Sequence, residues 1–125
     1  MAANILIVDD DESIRELLRL HLSAAGYSVT VAEDGISAGY TVLRSPPDLI
    51  ISDVNMPHMD GFEFIRALKS DKSLPNIPVI FLTSNENDDR GKEVGAVGYL
   101  LKPVRSDRLL ALVAQHVPGG ALPIG

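Results

Sequence analysis

Short apolar runs that stop at a charged or hydroxyl-bearing residue recur along this chain, and they constrain its fold more than any other feature. Residues 5–8 run into Asp9, Asp10 and Asp11, residues 49–51 lead through Ser52 to Asp53, residues 79–82 end at Thr83, and Tyr99-Leu100-Leu101 leads to Lys102. Runs this short, apolar throughout and separated by helix-length segments, read as strands of a parallel sheet buried on both faces. Ligands of open α/β sheets bind beyond the carboxyl ends of the strands. Asp9, Asp10, Asp53 and Lys102 are therefore expected to meet in one pocket, although they lie far apart in sequence.

The intervening segments supply the helices. Residues 12–24 place Ile14, Leu17, Leu18 and Leu22 at helical spacing and stop before Gly26, a residue suited to the left-handed turn that closes a helix. Residues 28–32 read as the second strand. Asp34-Gly35 turns into a helix over 36–43, weakened by Gly39 and ended by Ser45-Pro46-Pro47. After a loop over 56–61, Phe62, Ile65 and Leu68 share one face of a helix over 62–68. Asn76-Ile77-Pro78 leads into the fourth strand, residues 97–101 make the fifth, and Leu109, Leu110 and Val113 mark a last helix starting near Ser106. The order, βα five times, implies an α/β fold with a parallel sheet, right-handed crossovers and helices on both faces.

A chain of 125 residues with 46% hydrophobic content suits one domain with a sizeable core. That domain is expected over residues 1–117, with 118–125, rich in Gly and Pro, as a frayed tail or linker stump. A net charge of −6 argues against direct nucleic-acid contact, which favours a basic stripe. With no cysteine there is neither a disulfide framework nor a thiolate metal site, a composition that suits a reducing cytoplasm. No apolar run approaches the roughly 18 residues of a membrane span, and no signal-peptide pattern opens the chain. The expectation is a soluble cytoplasmic domain with no membrane partner.

Two ionised carboxylates about 4 Å apart repel by roughly 4 kcal/mol at an effective dielectric near 20, so a cluster of three needs positive charge or must protonate. Lys102 supplies one unit, and a divalent cation would supply two. An all-oxygen site suits Mg²⁺ rather than Zn²⁺, which prefers His and Cys. His21, His58 and His116 form no ligand pair by spacing and read as surface or partly buried residues. A carboxylate beside Mg²⁺ and a lysine can attack a phosphoryl group and form an acyl phosphate, because the cations offset charge on the transferring oxygens. Asp53, alone on its strand, is the best nucleophile. Asp9 and Asp10 can converge on one ion at a loop start, leaving Asp11 to begin the helix.

Taken together, Ile5-Leu6-Ile7-Val8-Asp9-Asp10, the stretch from Asp48 through Asp53 to Asn55-Met56-Pro57, Met59-Asp60-Gly61, Leu82-Thr83 and Lys102-Pro103 closely resemble the receiver domain of two-component response regulators. The likeness runs from about residue 4 to 117, and its strength lies in five fragments occurring in order at suitable spacing. It implies a five-stranded flavodoxin-like fold with strand order 2-1-3-4-5. It further implies that Asp53 accepts a phosphoryl group, that Asp9, Asp10, Asp53 and the Asn55 backbone carbonyl hold Mg²⁺, with Mn²⁺ as a substitute, and that Lys102 pairs with the phosphoryl group. Thr83 resembles the switch hydroxyl, Tyr99 the aromatic that swings into the space Thr83 leaves, and Pro103 the proline preceded by a cis peptide bond. The implied partners are a sensor histidine kinase or histidine phosphotransfer protein upstream, and an effector protein or fused output domain downstream. The function implied is a phosphorylated switch that later loses its phosphate, a substrate more than a turnover enzyme.

Each residue also has a plainer reading. Asp at a strand end is commonly a turn or cap residue, Asp60-Gly61 a turn element, Thr83 a hydroxyl satisfying nearby backbone, and Tyr99 ordinary strand packing. One departure from the family pattern stands out. Only eleven residues separate Thr83 from Gly95, about three fewer than the resemblance calls for, and residues 85–92 are rich in Asn, Asp and Gly, which are poor helix formers. A shortened fourth helix, or poor order over residues 85–94, is the expectation, which puts in doubt the signalling face that the family commonly builds from its fourth helix, fifth strand and last helix. Three other functions compete. A haloacid-dehalogenase-like phosphatase requires an acid two residues after its nucleophile, where Asn55 stands. A flavodoxin-like carrier would set an acidic pocket against a flavin phosphate. A non-phosphorylated interaction module leaves the complete acidic set without a use.

Overall fold

Burial on both faces is what the apolar runs require, and the central strands of the computed structural model satisfy it: every residue of β3 (Leu49–Asp53) and β4 (Val79–Thr83) is buried. The structure describes residues 2–56, 60–85 and 95–117. Around those two strands lie β1 (Asn4–Val8), α1 (Glu12–Ala24), β2 (Ser28–Ala32), α2 (Gly35–Arg44), α3 (Gly61–Ser70), β5 (Gly98–Leu101) and α4 (Ser106–His116). The five strands form one parallel sheet in the order β2-β1-β3-β4-β5.

Because side chains alternate across a strand, each run feeds two cores. Ile5, Ile7, Leu49, Ile51, Ile80 and Leu82 point to one side, where Leu18 and Leu22 of α1 meet Leu109 and Val113 of α4. On the opposite side Leu6, Val8, Ile50, Val79 and Phe81 pack under Ala38 and Val42 of α2 and Phe62, Phe64 and Ile65 of α3. Truncating any of the fully buried leucines, such as Leu22, would cost about 2–5 kcal/mol. Three aspartates start three helices: Asp11 accepts from Ser13 N, Asp34 from Ser37 N and Asp60 from Glu63 N, each bond contributing about 1 kcal/mol. Gly26 follows α1 with φ 98°, the left-handed conformation that glycine adopts without steric cost.

Some boundaries differ from the sequence reading. Leu17 is 45% exposed, because it lies about 100° round the helix from Leu18 and outside the stripe that faces the sheet. Leu68 is half-buried, and Phe64 is buried beside Phe62 and Ile65. Gly39 does not prevent α2 from spanning Gly35–Arg44, since Ala38 and Val42 anchor it by packing. α4 does begin at Ser106, where the sequence reading starts the last helix, and Arg105 holds the cap position without a side-chain bond. The expected loss of helix over residues 85–94 falls almost entirely on 86–94, outside the described residues, as do His58 and the tail over 118–125. Four helices are described. None of them is long and apolar enough to cross a membrane.

Candidate functional site

Strand order is what assembles the site. β1, β3, β4 and β5 are consecutive neighbours, with Val8 opposite Ser52, Asp53 opposite Leu82 and Thr83 opposite Leu101, so their carboxyl ends form one edge. Asp9 follows β1, Asp53 and Thr83 are the last residues of β3 and β4, and Lys102 follows β5. The ladder continues one step past the strands, through Asp9 N to Ala32 O at 3.1 Å, Val54 N to Leu82 O at 3.2 Å and Lys102 N to Thr83 O at 2.8 Å. That holds the backbone under each side chain.

The structure brings one carboxylate oxygen from each of Asp9, Asp10 and Asp53 within 4.8 Å of one another. Asp9 is wholly buried, Asp53 is 6% exposed, and Asp10 faces solvent. The Lys102 ammonium stands between the two buried groups, with Nζ 3.1 Å from Asp9 Oδ2 and 3.4 Å from Asp53 Oδ1. Asp9 divides its work between its oxygens: Oδ1 accepts the Asp11 N–H at 2.9 Å, while Oδ2, fully buried, meets the ammonium with no hydrogen bond of good geometry. The peptide bond between Lys102 and Pro103 is cis.

Electrostatics follow from that packing. Burial raises the Asp53 carboxyl above its ordinary range, the charge of Asp9 adds to the rise, and Lys102 with the Asn55 backbone hydrogen bond oppose it. Burial by itself would lower the Lys102 ammonium, yet Asp9 and Asp53 outweigh it and hold the group above its usual value. The pocket thus has three carboxylates facing one cation. Its donors are all oxygen, the set that suits a hard divalent ion, and Asp9 Oδ2 is a buried carboxylate oxygen that has no other acceptor role among the described residues. The residues present fit Mg²⁺ or Mn²⁺.

Thr83, 3% exposed, turns its hydroxyl to the backbone of Asn85, where Oγ1 accepts from N at 3.0 Å and lies 3.3 Å from O. Tyr99 is half-buried with its hydroxyl oxygen enclosed, its ring 6.3 Å from that of Phe81, which in turn lies 4.8 Å from Phe62. A row of three aromatic rings therefore runs under the site, from the first turn of α3 to β5. Asn55 is exposed in the loop after β3.

Several residues around the site escaped the sequence reading. Arg15 Nη1 donates to the Asp9 carbonyl at 2.8 Å, reaching back from the first turn of α1. The buried Ser52 hydroxyl donates to the Asp53 carbonyl at 3.0 Å. Gly61 proves more than a turn element: its N–H donates to Val54 O at 2.9 Å, and a Cβ there would collide with the Asp53 carbonyl oxygen. No one-dimensional signal marks Arg15 or Ser52. The Asp-Gly pair at 60–61 was the available pointer to the close approach.

The model of the response regulator receiver domain family matches residues 5–114. Among curated proteins, the response regulator MprA of Mycobacterium sp. (strain KMS) is 40% identical over 114 residues, covering 89% of this chain and 49% of that protein. That of Mycobacterium leprae (strain TN) is 42% identical over 112 residues, covering 87% and 48%. The chain spans about half the length of the curated relatives it matches. Among solved structures, the chemotaxis response regulator CheY4 of Vibrio cholerae superposes with a TM-score of 0.88 at 38% identity, over 94% of this chain and 100% of that one. A signal receiver domain of a signal transduction histidine kinase from Syntrophus aciditrophicus gives 0.81 at 34% identity, over 98% and 100%.

Proposed function

We propose, from the premise that this chain belongs to the response regulator receiver domain family and is a receiver domain of a two-component system, that Asp53 accepts a phosphoryl group from a phosphohistidine. The donor is a sensor histidine kinase or a histidine phosphotransfer protein in the cytoplasm. The observation that carries the reading is the convergence of Asp9, Asp10 and Asp53 around the Lys102 ammonium, with a buried carboxylate oxygen left for a cation.

In the transfer, an Asp53 Oδ attacks phosphorus, a P–O bond forms and the P–N bond to imidazole breaks, leaving an acyl phosphate. Asp9, Asp10, Asp53 and the Asn55 carbonyl would hold Mg²⁺. When bound, that ion offsets negative charge on the transferring oxygens. Lys102 pairs with a phosphoryl oxygen and keeps its link to Asp9. Arg15 and Ser52 fix the backbone that carries the two buried carboxylates. Thr83 exchanges its bond to Asn85 for one to the phosphoryl group, and Tyr99 moves with it, so that occupancy is read at the surface by an effector or a further domain. Hydrolysis by water at phosphorus restores the Asp53 carboxylate.

Acetyl phosphate with and without Mg²⁺, followed by a phosphate-affinity gel, tests this. The wild-type chain is expected to shift only with Mg²⁺, and Asp53→Asn to show no shift. A shift in that variant, or a full shift in EDTA, removes the assigned nucleophile or metal. No shift under any condition favours an interaction module that is never phosphorylated.

A further inference from the structure

α2 carries a surface that the phosphoryl site does not use. Ile36, Tyr40 and Leu43 are 57%, 67% and 59% exposed. Spaced i, i+4 and i+7, they stand on one face of α2, opposite Ala38 and Val42, which anchor it to the core. Single exposed apolar side chains are ordinary, whereas a stripe covering a whole short helix marks a contact surface. The middle of the stripe falls at Gly39 and Tyr40. Nothing lies within 4 Å of where a Gly39 Cβ would be, so the glycine leaves an open notch beside the tyrosine and gives the isolated domain no packing in return for weakening the helix.

The ends of the helix carry opposite charge. Glu33 and Asp34 precede it, and Arg44 is its last residue. Asp34 is engaged as the cap. Glu33 and Arg44 are exposed, and neither has an ion partner among the described residues.

We propose that this face binds a second copy of the chain, α2 against α2, antiparallel about a two-fold axis through Gly39 and Tyr40. That rotation sets Ile36 against the partner's Leu43, seats the Tyr40 ring over the partner's Gly39, and brings Arg44 beside the partner's Glu33. The charges select this arrangement, since a parallel one would oppose Arg44 to the partner's Arg44. A ten-residue helix is about 15 Å long, so the contact falls below the roughly 800 Å² per partner of a stable complex. The pair is therefore weak, and tightens when two copies are held together by other means.

Sedimentation velocity of the 125-residue chain, over concentrations up to about 1 mM, tests the proposal. The wild type is expected to sediment faster as concentration rises, and Tyr40→Glu to remain monomeric. Gly39→Leu, which fills open space and keeps the fold, should remain monomeric with undiminished thermal stability. Arg44→Glu and Glu33→Arg should each associate about tenfold more weakly, and an equimolar mixture of the two should recover wild-type association, because each charge then meets its opposite across the axis. A wild type that is monomeric throughout, association indifferent to Tyr40→Glu, or a mixture no better than its components overturns it.

Discussion

Asp9 and Lys102 meet inside the protein at 3.1 Å, the carboxylate wholly buried and the lysine side chain 21% exposed. The same ammonium reaches Asp53 at 3.4 Å, so one cation serves two buried carboxylates. This sharing makes the site a place where a further positive charge is favoured and where removal of the existing one is costly.

Lys102→Ala should destabilise the metal-free protein by on the order of 2 kcal/mol, less than for a fully enclosed pair because the ammonium is partly solvated. Its Mg²⁺ affinity should be unchanged or up to about tenfold tighter, since a like charge is gone. Denaturant unfolding and calorimetric titration read the two effects. A folded variant with strongly reduced Mg²⁺ affinity would contradict the assigned role.

Asp53→Asn should raise thermal stability by a few degrees at neutral pH without divalent ions. The carboxyl's folded-state pKa lies above its unfolded value, first because of burial and then because of Asp9. A group raised in this way contributes stability that is full below the unfolded pKa and is lost as pH rises through the folded one. The advantage of the amide should therefore shrink as pH falls towards the ordinary carboxylate range. Melting curves across pH check it, and a gap that widens in acid would reverse the sign.

Gly61→Ala should cost about 1–3 kcal/mol and slow modification of Asp53, because the added methyl meets the Asp53 carbonyl oxygen, a backbone atom that cannot rotate away. Equal stability and equal labelling rates in the variant would show that the loop yields freely.

Thr83→Ala removes the acceptor for Asn85 N, a loss of about 1 kcal/mol, and leaves the acidic cluster untouched. Beryllofluoride should still bind the variant, while the change it causes in the Tyr99 ring resonances should fall sharply. Wild-type ring shifts in Thr83→Ala would separate Tyr99 from the hydroxyl.

The sequence by itself determined where strands begin and end to within a residue, which residues stand at their carboxyl ends, and hence which groups could share a pocket. Those are local properties: apolar runs such as residues 49–51 and 79–82 encode burial on both faces, and the residue that ends each run is placed by counting along the chain. The strand order, with β3 between β1 and β4, came from the family resemblance and the structure agrees with it, whereas only tertiary structure decided that Asp9 Oδ2 and not Oδ1 faces Lys102, that Arg15 braces the Asp9 backbone, and that Leu17 faces outward. It also decided how closely Gly61 approaches Asp53 and that the Thr83 hydroxyl bonds Asn85. These depend on distances between residues remote in sequence. Such distances are set by how helices of particular lengths cross over and pack on a twisted sheet, and no periodicity along the chain records them.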